Sequence, residues 1–227
     1  MPDGVEQLNE DIITASRILS REGLVQGFGH VSARIPDSDL FVITPRIALE
    51  LVQPGQLVVV NLQGQVLEAP APPSFETALH TAIFNARPDV NAITRIHART
   101  ANMFSVTDTP LDAVHNHGSF FSGGVPVFRT IDLISTRELG EGAAAALGDA
   151  AAVLLQGNGQ ATVGRTIPEA VMMAIYLEEA AQVLYGAMQV GTPRFLPGEA
   201  AGSRQKEALP PPDMERAWNF FKSRVGM

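Results

Sequence analysis

The segment that most constrains the fold is Gln56–Glu68, QLVVVNLQGQVLE. Two runs rich in β-branched residues flank Gln63-Gly64, which reads as the turn of a β-hairpin. Helical patterns lie on both sides of it. Residues 6–23 place Leu8, Ile12, Ile13, Ala15, Ile18 and Leu19 on one stripe, and Gly23 ends that run. Phe75–Ala86 forms a second helical pattern, with Ser74 as its expected N-cap and Pro88 beyond its end. A hairpin between helices argues against a sheet built only from strand–helix–strand crossovers. The other strand patterns are VSARIP, LFVITP, NAITRIHA and AAVLLQ, with GNGQATVG continuing the last through a turn. Further helices are expected at Ala101–Val106, at Thr136–Leu147 capped by Ser135 or Thr136, and at Ile167–Met188, where Thr166 and Glu169 resemble a capping box. The expectation is one α/β domain over residues 1–227, with a largely antiparallel sheet and helices on its faces. Residues 191–212, rich in Pro and Gly, read as extended or flexible, and residues 213–227 as a terminal helix.

Charge and cysteine content narrow the function. A net charge of −8 argues against a nucleic-acid surface, and no basic run suggests an anionic membrane. Cysteine is absent, which excludes disulfides, thiolate ligands and thiol nucleophiles. The opening MPDGVEQLNED is polar and acidic, unlike a signal peptide, and no apolar stretch reaches the ~18 residues of a membrane span. A cytoplasmic protein acting on a small molecule is the expectation.

Chemistry-bearing residues concentrate between Pro73 and His97. Glu76 near a helix start reads either as a proton-transfer group or as a carboxylate complementing the helix dipole. His97, at a strand end, reads as a general acid/base or carbonyl-polarising group, or as a core histidine. Arg95 lies two residues before it, hence on the same strand face, and reads as a substrate ligand or as an ion-pair partner that would weaken Glu76 as a base. His80 follows Glu76 by one helical turn and reads as supporting. His115 and His117, two apart in the Gly-rich loop Asp112–Val127, are a weak metal signal, alone or with His97.

The order of GLVQGFGHVSAR, FVITP, LVVVNLQGQVLE, PSFE, RPDVNAITRIHA, TRELGEGAAAAL and VLLQGNGQATVG resembles the class II aldolase/adducin family, from about Asn9 to Tyr185. The resemblance implies a three-layer α/β/α fold, a homotetramer and sites between subunits. It also implies a divalent ion held by three histidines in the sugar-phosphate aldolases. Those positions read Arg95, His97 and Asn158 here. Arginine cannot ligate, and asparagine is a poor zinc ligand, so the expected site is metal-poor. The phosphate-binding positions are also altered, to Phe28-Gly29-His30, Arg46-Ile47 and Ser74-Phe75.

By the resemblance, Glu76 is the proton-transfer residue, and Asn116 stands where the aldolases carry a tyrosine. His30, Arg46, Ser74, Asn116, His117 and Asn158 are the expected substrate contacts, with Glu76, Arg95 and His97 catalytic. His30 and the segment GVPVF resemble the decarboxylase branch. The expected function is a lyase acting on a non-phosphorylated hydroxy- or keto-acid by decarboxylation or retro-aldol cleavage. The alternatives are a metal-independent dehydratase, isomerase or cyclase, or a non-catalytic adducin-like binding protein.

Overall fold

The computed structural model describes residues 3–197 and 210–226. One eight-stranded sheet runs in the order β4-β3-β2-β1-β5-β8-β7-β6. Its strands are β1 (His30–Arg34), β2 (Leu40–Ile43), β3 (Val58–Asn61), β4 (Val66–Glu68), β5 (Ala92–Ile96), β6 (Val127–Phe128), β7 (Ala152–Leu155) and β8 (Gln160–Gly164). Every pairing is antiparallel except β6 with β7. The hairpin forms as expected, as β3 and β4. The helices are α1 (Asp3–Arg21), α2 (Thr77–Ala86), α3 (Arg99–Phe104), α4 (Arg137–Leu147), α5 (Ile167–Val190) and α6 (Pro211–Arg224).

Strand alternation sorts the core into two layers. Val31, Ala33, Val42, Ala92 and Ile96 join the cluster beneath α1, α3, α5 and α6. Phe41, Ile43, Val58, Val60, Ile93, Ala161 and Val163 join the cluster beneath α2 and α4. This is the three-layer α/β/α arrangement. Gly140 in α4 sets the contact of the second layer: a Cβ there would lie 2.5 Å from the Ala78 carbonyl of α2, so only glycine permits this approach.

Some local expectations change. α2 begins at Thr77, and Glu76 rather than Ser74 occupies its N-cap position. Ser74 Oγ instead accepts the Glu76 N–H at 3.1 Å, so its capping capacity closes the turn that leads into the helix. Thr136 caps α4 and Thr166 caps α5, each accepting the N–H three residues on. Glu169 does not complete a reciprocal box with Thr166; its carboxylate accepts from Arg165 N at 2.9 Å, one residue earlier. The terminal helix starts at Pro211, two residues before the expected boundary. The expected extended segment 191–212 falls largely on residues 198–209, outside the described residues. No helix among the described residues is long and apolar enough to cross a membrane.

Candidate active site

The same alternation that builds the core builds a polar stripe. On β1 and β5, residues 30, 32, 34, 93 and 95 face α2. Ile93 feeds the core, whereas His30, Ser32, Arg34 and Arg95 are polar. Each has a partner on or beside α2. Arg34 donates to the Phe84 carbonyl and, at 2.8 Å, to the Val90 carbonyl. Ser32 Oγ lies 2.7 Å from His80 Nδ1. Ser74 Oγ lies 2.8 Å from His30 Nε2.

Arg95 closes the stripe. It is fully buried, and Glu76 is 4% exposed. Nη2 of Arg95 donates to Glu76 Oε1 at 3.3 Å, and Nε approaches Oε2 at 3.3 Å in an ion-pair contact without hydrogen-bond alignment. Nη1 donates to the Ile96 carbonyl at 2.8 Å and faces His97 Nε2 at 3.3 Å. His97 Nδ1 lies 3.2 Å from the Phe28 carbonyl. A carbonyl can only accept, so Nδ1 carries the proton and Nε2 is left to accept from Arg95. Gly159 makes room for this array: its φ is +83°, and a Cβ there would lie 2.2 Å from the Ile96 carbonyl and 2.7 Å from Arg95 Nη1.

Burial and neighbouring cations keep the imidazoles neutral. His97 is pushed down to about 4 by burial and the Arg95 charge, opposed by the hydrogen bond it gives to the Phe28 carbonyl and by one with the Asn158 side chain. His80 is pushed down to about 3 by burial, then by Arg95. Its Nε2 is buried without a hydrogen-bond partner among the described residues. His30 is driven well below its ordinary value by burial, with His80, Arg95 and His97 adding to the effect. For each, the folded value lies below that of an unfolded histidine. Their contribution is therefore present above pH ~6.5 and is lost as pH falls toward the folded values. Denaturant midpoints are expected to fall steadily from pH 6.5 to pH 4, and His80→Gln should flatten that slope. An unchanged slope in this variant would show that His80 is not the buried neutral group.

At the rim, Arg46 is exposed and stacks its guanidinium 4.1 Å over the Phe75 ring. Phe28 and Phe75 are 77% and 61% exposed. Thus Glu76, Arg95, His97, His30, Ser74 and Asn158 are joined by contacts, and Arg46 reaches them through Phe75. Arg95 presents no surface to solvent, so in this state its fork is bound to Glu76 rather than open to a ligand. The divalent ion implied by the resemblance does not fit these residues. A permanently charged guanidinium stands 3.3 Å from the His97 nitrogen that would ligate it.

His115 and His117 are drawn elsewhere. His117 Nδ1 lies 3.1 Å from Glu179 Oε2, and His115 Nε2 lies 3.5 Å from Oε1. Among the described residues, the metal-ligating side chains that converge are these three, without His97. Glu179 and its neighbour Glu178 carry no motif that marks them in the sequence. Glu178 accepts from Thr100 N, Ala101 N and Thr100 Oγ1 at the start of α3. Their one trace in the sequence is a Glu-Glu pair inside the long apolar pattern of α5.

The chain matches the class II aldolase and adducin N-terminal domain over residues 10–185, and it belongs to that family. It is 29% identical over 224 residues to a 5-methylthioribulose-1-phosphate/5-deoxyribulose-1-phosphate aldolase of Rhodospirillum rubrum, covering 98% of this chain and 95% of the relative. It is 30% identical over 188 residues to a 3,4-dihydroxyphthalate decarboxylase of Arthrobacter keyseri, covering 76% and 75%. Its fold superposes with a TM-score of 0.80 on an L-fuculose 1-phosphate aldolase of Glaciozyma antarctica, at 28% identity, over 96% of this chain and 88% of that one. These matches place the chain in a lyase class of aldolase or decarboxylase type.

Proposed function

We propose that the chain cleaves a carbon–carbon bond of a non-phosphorylated hydroxy- or keto-carboxylic acid, by decarboxylation or retro-aldol reaction. The observation that carries this reading is the buried Glu76–Arg95–His97 array, which puts a proton acceptor beside a fixed cation. Glu76 takes the proton of the substrate hydroxyl. The carbon–carbon electron pair passes to the adjacent carbonyl or electron-poor ring, and the oxyanion that develops is stabilised by the Arg95 charge. In the retro-aldol reaction Glu76 then returns that proton to the carbanion carbon; in decarboxylation Glu76 protonates the ring carbon and the substrate hydroxyl regains its proton from solvent, because loss of carbon dioxide from a carboxylate consumes one proton. His97, neutral near pH 7, donates through Nδ1 to the Phe28 carbonyl and accepts from Arg95 at Nε2, so it is a positioning group for the array. Arg95 acts by holding Glu76 and His97 and by its field. Arg46, stacked on Phe75 at the rim, supplies the bidentate fork for the substrate carboxylate. His30, Ser74 and Asn158 adjoin the same array, and Asn116 and His117 join it only if a neighbouring subunit brings its loop there.

The test is turnover of a panel of hydroxyaryl and aliphatic hydroxy-acids, their methyl esters, and sugar phosphates, read as carbon dioxide or aldehyde released. The free acid is expected to react and its ester to fail. Equal turnover of the neutral ester, or activity confined to a phosphorylated sugar, would overturn the reading.

Assembly as a homotetramer belongs to the same reading. It is supported by the resemblance and by apolar side chains left exposed, among them Phe28, Ile131 and Val190. Sedimentation at micromolar concentration is expected to give four times the subunit mass, and a single-subunit mass would remove the support for sites shared between chains.

A further inference from the structure

We propose that His115, His117 and Glu179 form a binding site for a divalent transition-metal ion, with zinc the ion whose preferences they meet. Within one subunit this site is separate from the array at Glu76, and its ion binding rests on none of the chemistry proposed there.

The donor geometry is the first ground. One ligand atom from each of the three side chains lies within 4.8 Å of the others. Measured to one carboxylate oxygen, Glu179 Oε1, the nitrogens lie 3.5 Å away for His115 Nε2 and 3.2 Å for His117 Nδ1. Zinc–nitrogen and zinc–oxygen bonds of ~2.1 Å at tetrahedral angles place neighbouring donors ~3.4 Å apart. The observed separations bracket that edge, so an ion can enter with small side-chain movements. Two histidines and a glutamate form a recognised zinc ligand set that leaves a fourth position open.

The second ground is His115 itself. Both its ring nitrogens are buried, and neither has a hydrogen-bond partner among the described residues. A neutral imidazole carries one donor and one acceptor, and leaving both unmade is costly. Nε2 faces Glu179 at ion-pair distance but without hydrogen-bond alignment. A metal ion between them would satisfy that nitrogen. Glycine at 118 eases the placement: a Cβ there would lie 3.0 Å from His115 Nδ1, so the ring would have to shift by a few tenths of an ångström.

The third ground is preorganisation. The His117 ring stacks on Tyr176 with centroids 4.4 Å apart and planes 24° from parallel. Phe120 stacks on Tyr176 in turn, 5.9 Å away and 3° from parallel. Tyr176 and Glu179 are three residues apart on α5 and therefore share a face. Both the ring and the carboxylate are thus held by one rigid helix. A bound ion would fasten the Gly-rich loop, residues 112–127, to α5 at two points.

The competing account is a carboxylate shared by two imidazoles with no ion. The full chain, stripped with chelator, distinguishes the two when titrated calorimetrically with zinc and, separately, with cobalt(II). One ion per chain is expected, with a dissociation constant in the micromolar range or below. Cobalt should give the intense visible bands of a four-coordinate site. Glu179→Gln and His115→Asn keep side-chain size. Each should weaken binding by more than the ~10–100-fold that loss of a ligand's supporting hydrogen bond costs. His97→Asn should leave the titration unchanged. Zinc should raise the melting temperature of the wild type and not of Glu179→Gln. Should either variant fold poorly, the wild-type cobalt spectrum still decides, because a weak hydrated-ion spectrum overturns the proposal. So does the absence of zinc uptake, or uptake that His97→Asn abolishes and Glu179→Gln does not.

Discussion

Glu76→Gln is expected to lower kcat by about 10²–10⁴-fold, because it keeps the side chain's shape and removes its capacity to carry a proton. It is also expected to cost stability. The amide leaves the Arg95 guanidinium charged and fully buried without its carboxylate. Breaking a buried pair from one side typically costs about 3–5 kcal/mol. Urea unfolding of the variant should show the shift, and turnover should be measured well below the new melting temperature. Wild-type kcat on a confirmed substrate would end the proton-transfer role, and an unchanged urea midpoint would end the buried-pair argument. The two readouts are separable because one concerns folded enzyme and the other the folding equilibrium.

Arg95→Met is expected to destabilise by a similar ~3–5 kcal/mol, now because Glu76 is the uncompensated charge. The double variant Glu76→Gln/Arg95→Met should recover part of either loss, since no uncompensated charge stays buried while the Gln amide still has polar atoms to satisfy. A cycle with no coupling between the positions would show that the contact contributes nothing. Arg95→Lys should behave worse than its retained charge suggests. An ammonium cannot span both Glu76 oxygens while also reaching the Ile96 carbonyl and His97. Its kcat is therefore expected to fall together with its stability, and full activity would limit Arg95 to a charge without a geometric role.

Much of the fold was legible because its signals are local and redundant. The hairpin turn at Gln63-Gly64 and the alternating strands dictate antiparallel pairing, and Thr136 and Thr166 announce helix starts that form as read. Pairing β6 in parallel with β7 was not legible, because a two-residue strand has no periodicity to read. The start of α2 was misplaced because Ser74 satisfies Glu76 N in a turn that resembles a cap. At the site, strand parity placed Arg95 beside His97, and the ion pair with Glu76 was one of the readings left open. What parity cannot give is commitment: whether a guanidinium faces a ligand or is fully occupied by its own protein depends on α2 lying across β5. Glu179 was missed because its partners lie some sixty positions away, and only the packing of the Gly-rich loop on α5 brings them together.

Successive residues of α5 reach two separate parts of the molecule. Glu178 grips the first turn of α3, the helix that begins just after His97, while Glu179 grips the loop bearing His115 and His117. Side chains one position apart on a helix diverge by ~100°, so the two grips leave α5 toward different neighbours. α5 is thereby a common spindle for both clusters of histidines. Exchange rates of the Thr100 and Ala101 amides report directly on the Glu178 grip, and a change in them when the loop cluster is tightened is the expected sign that α5 couples the two.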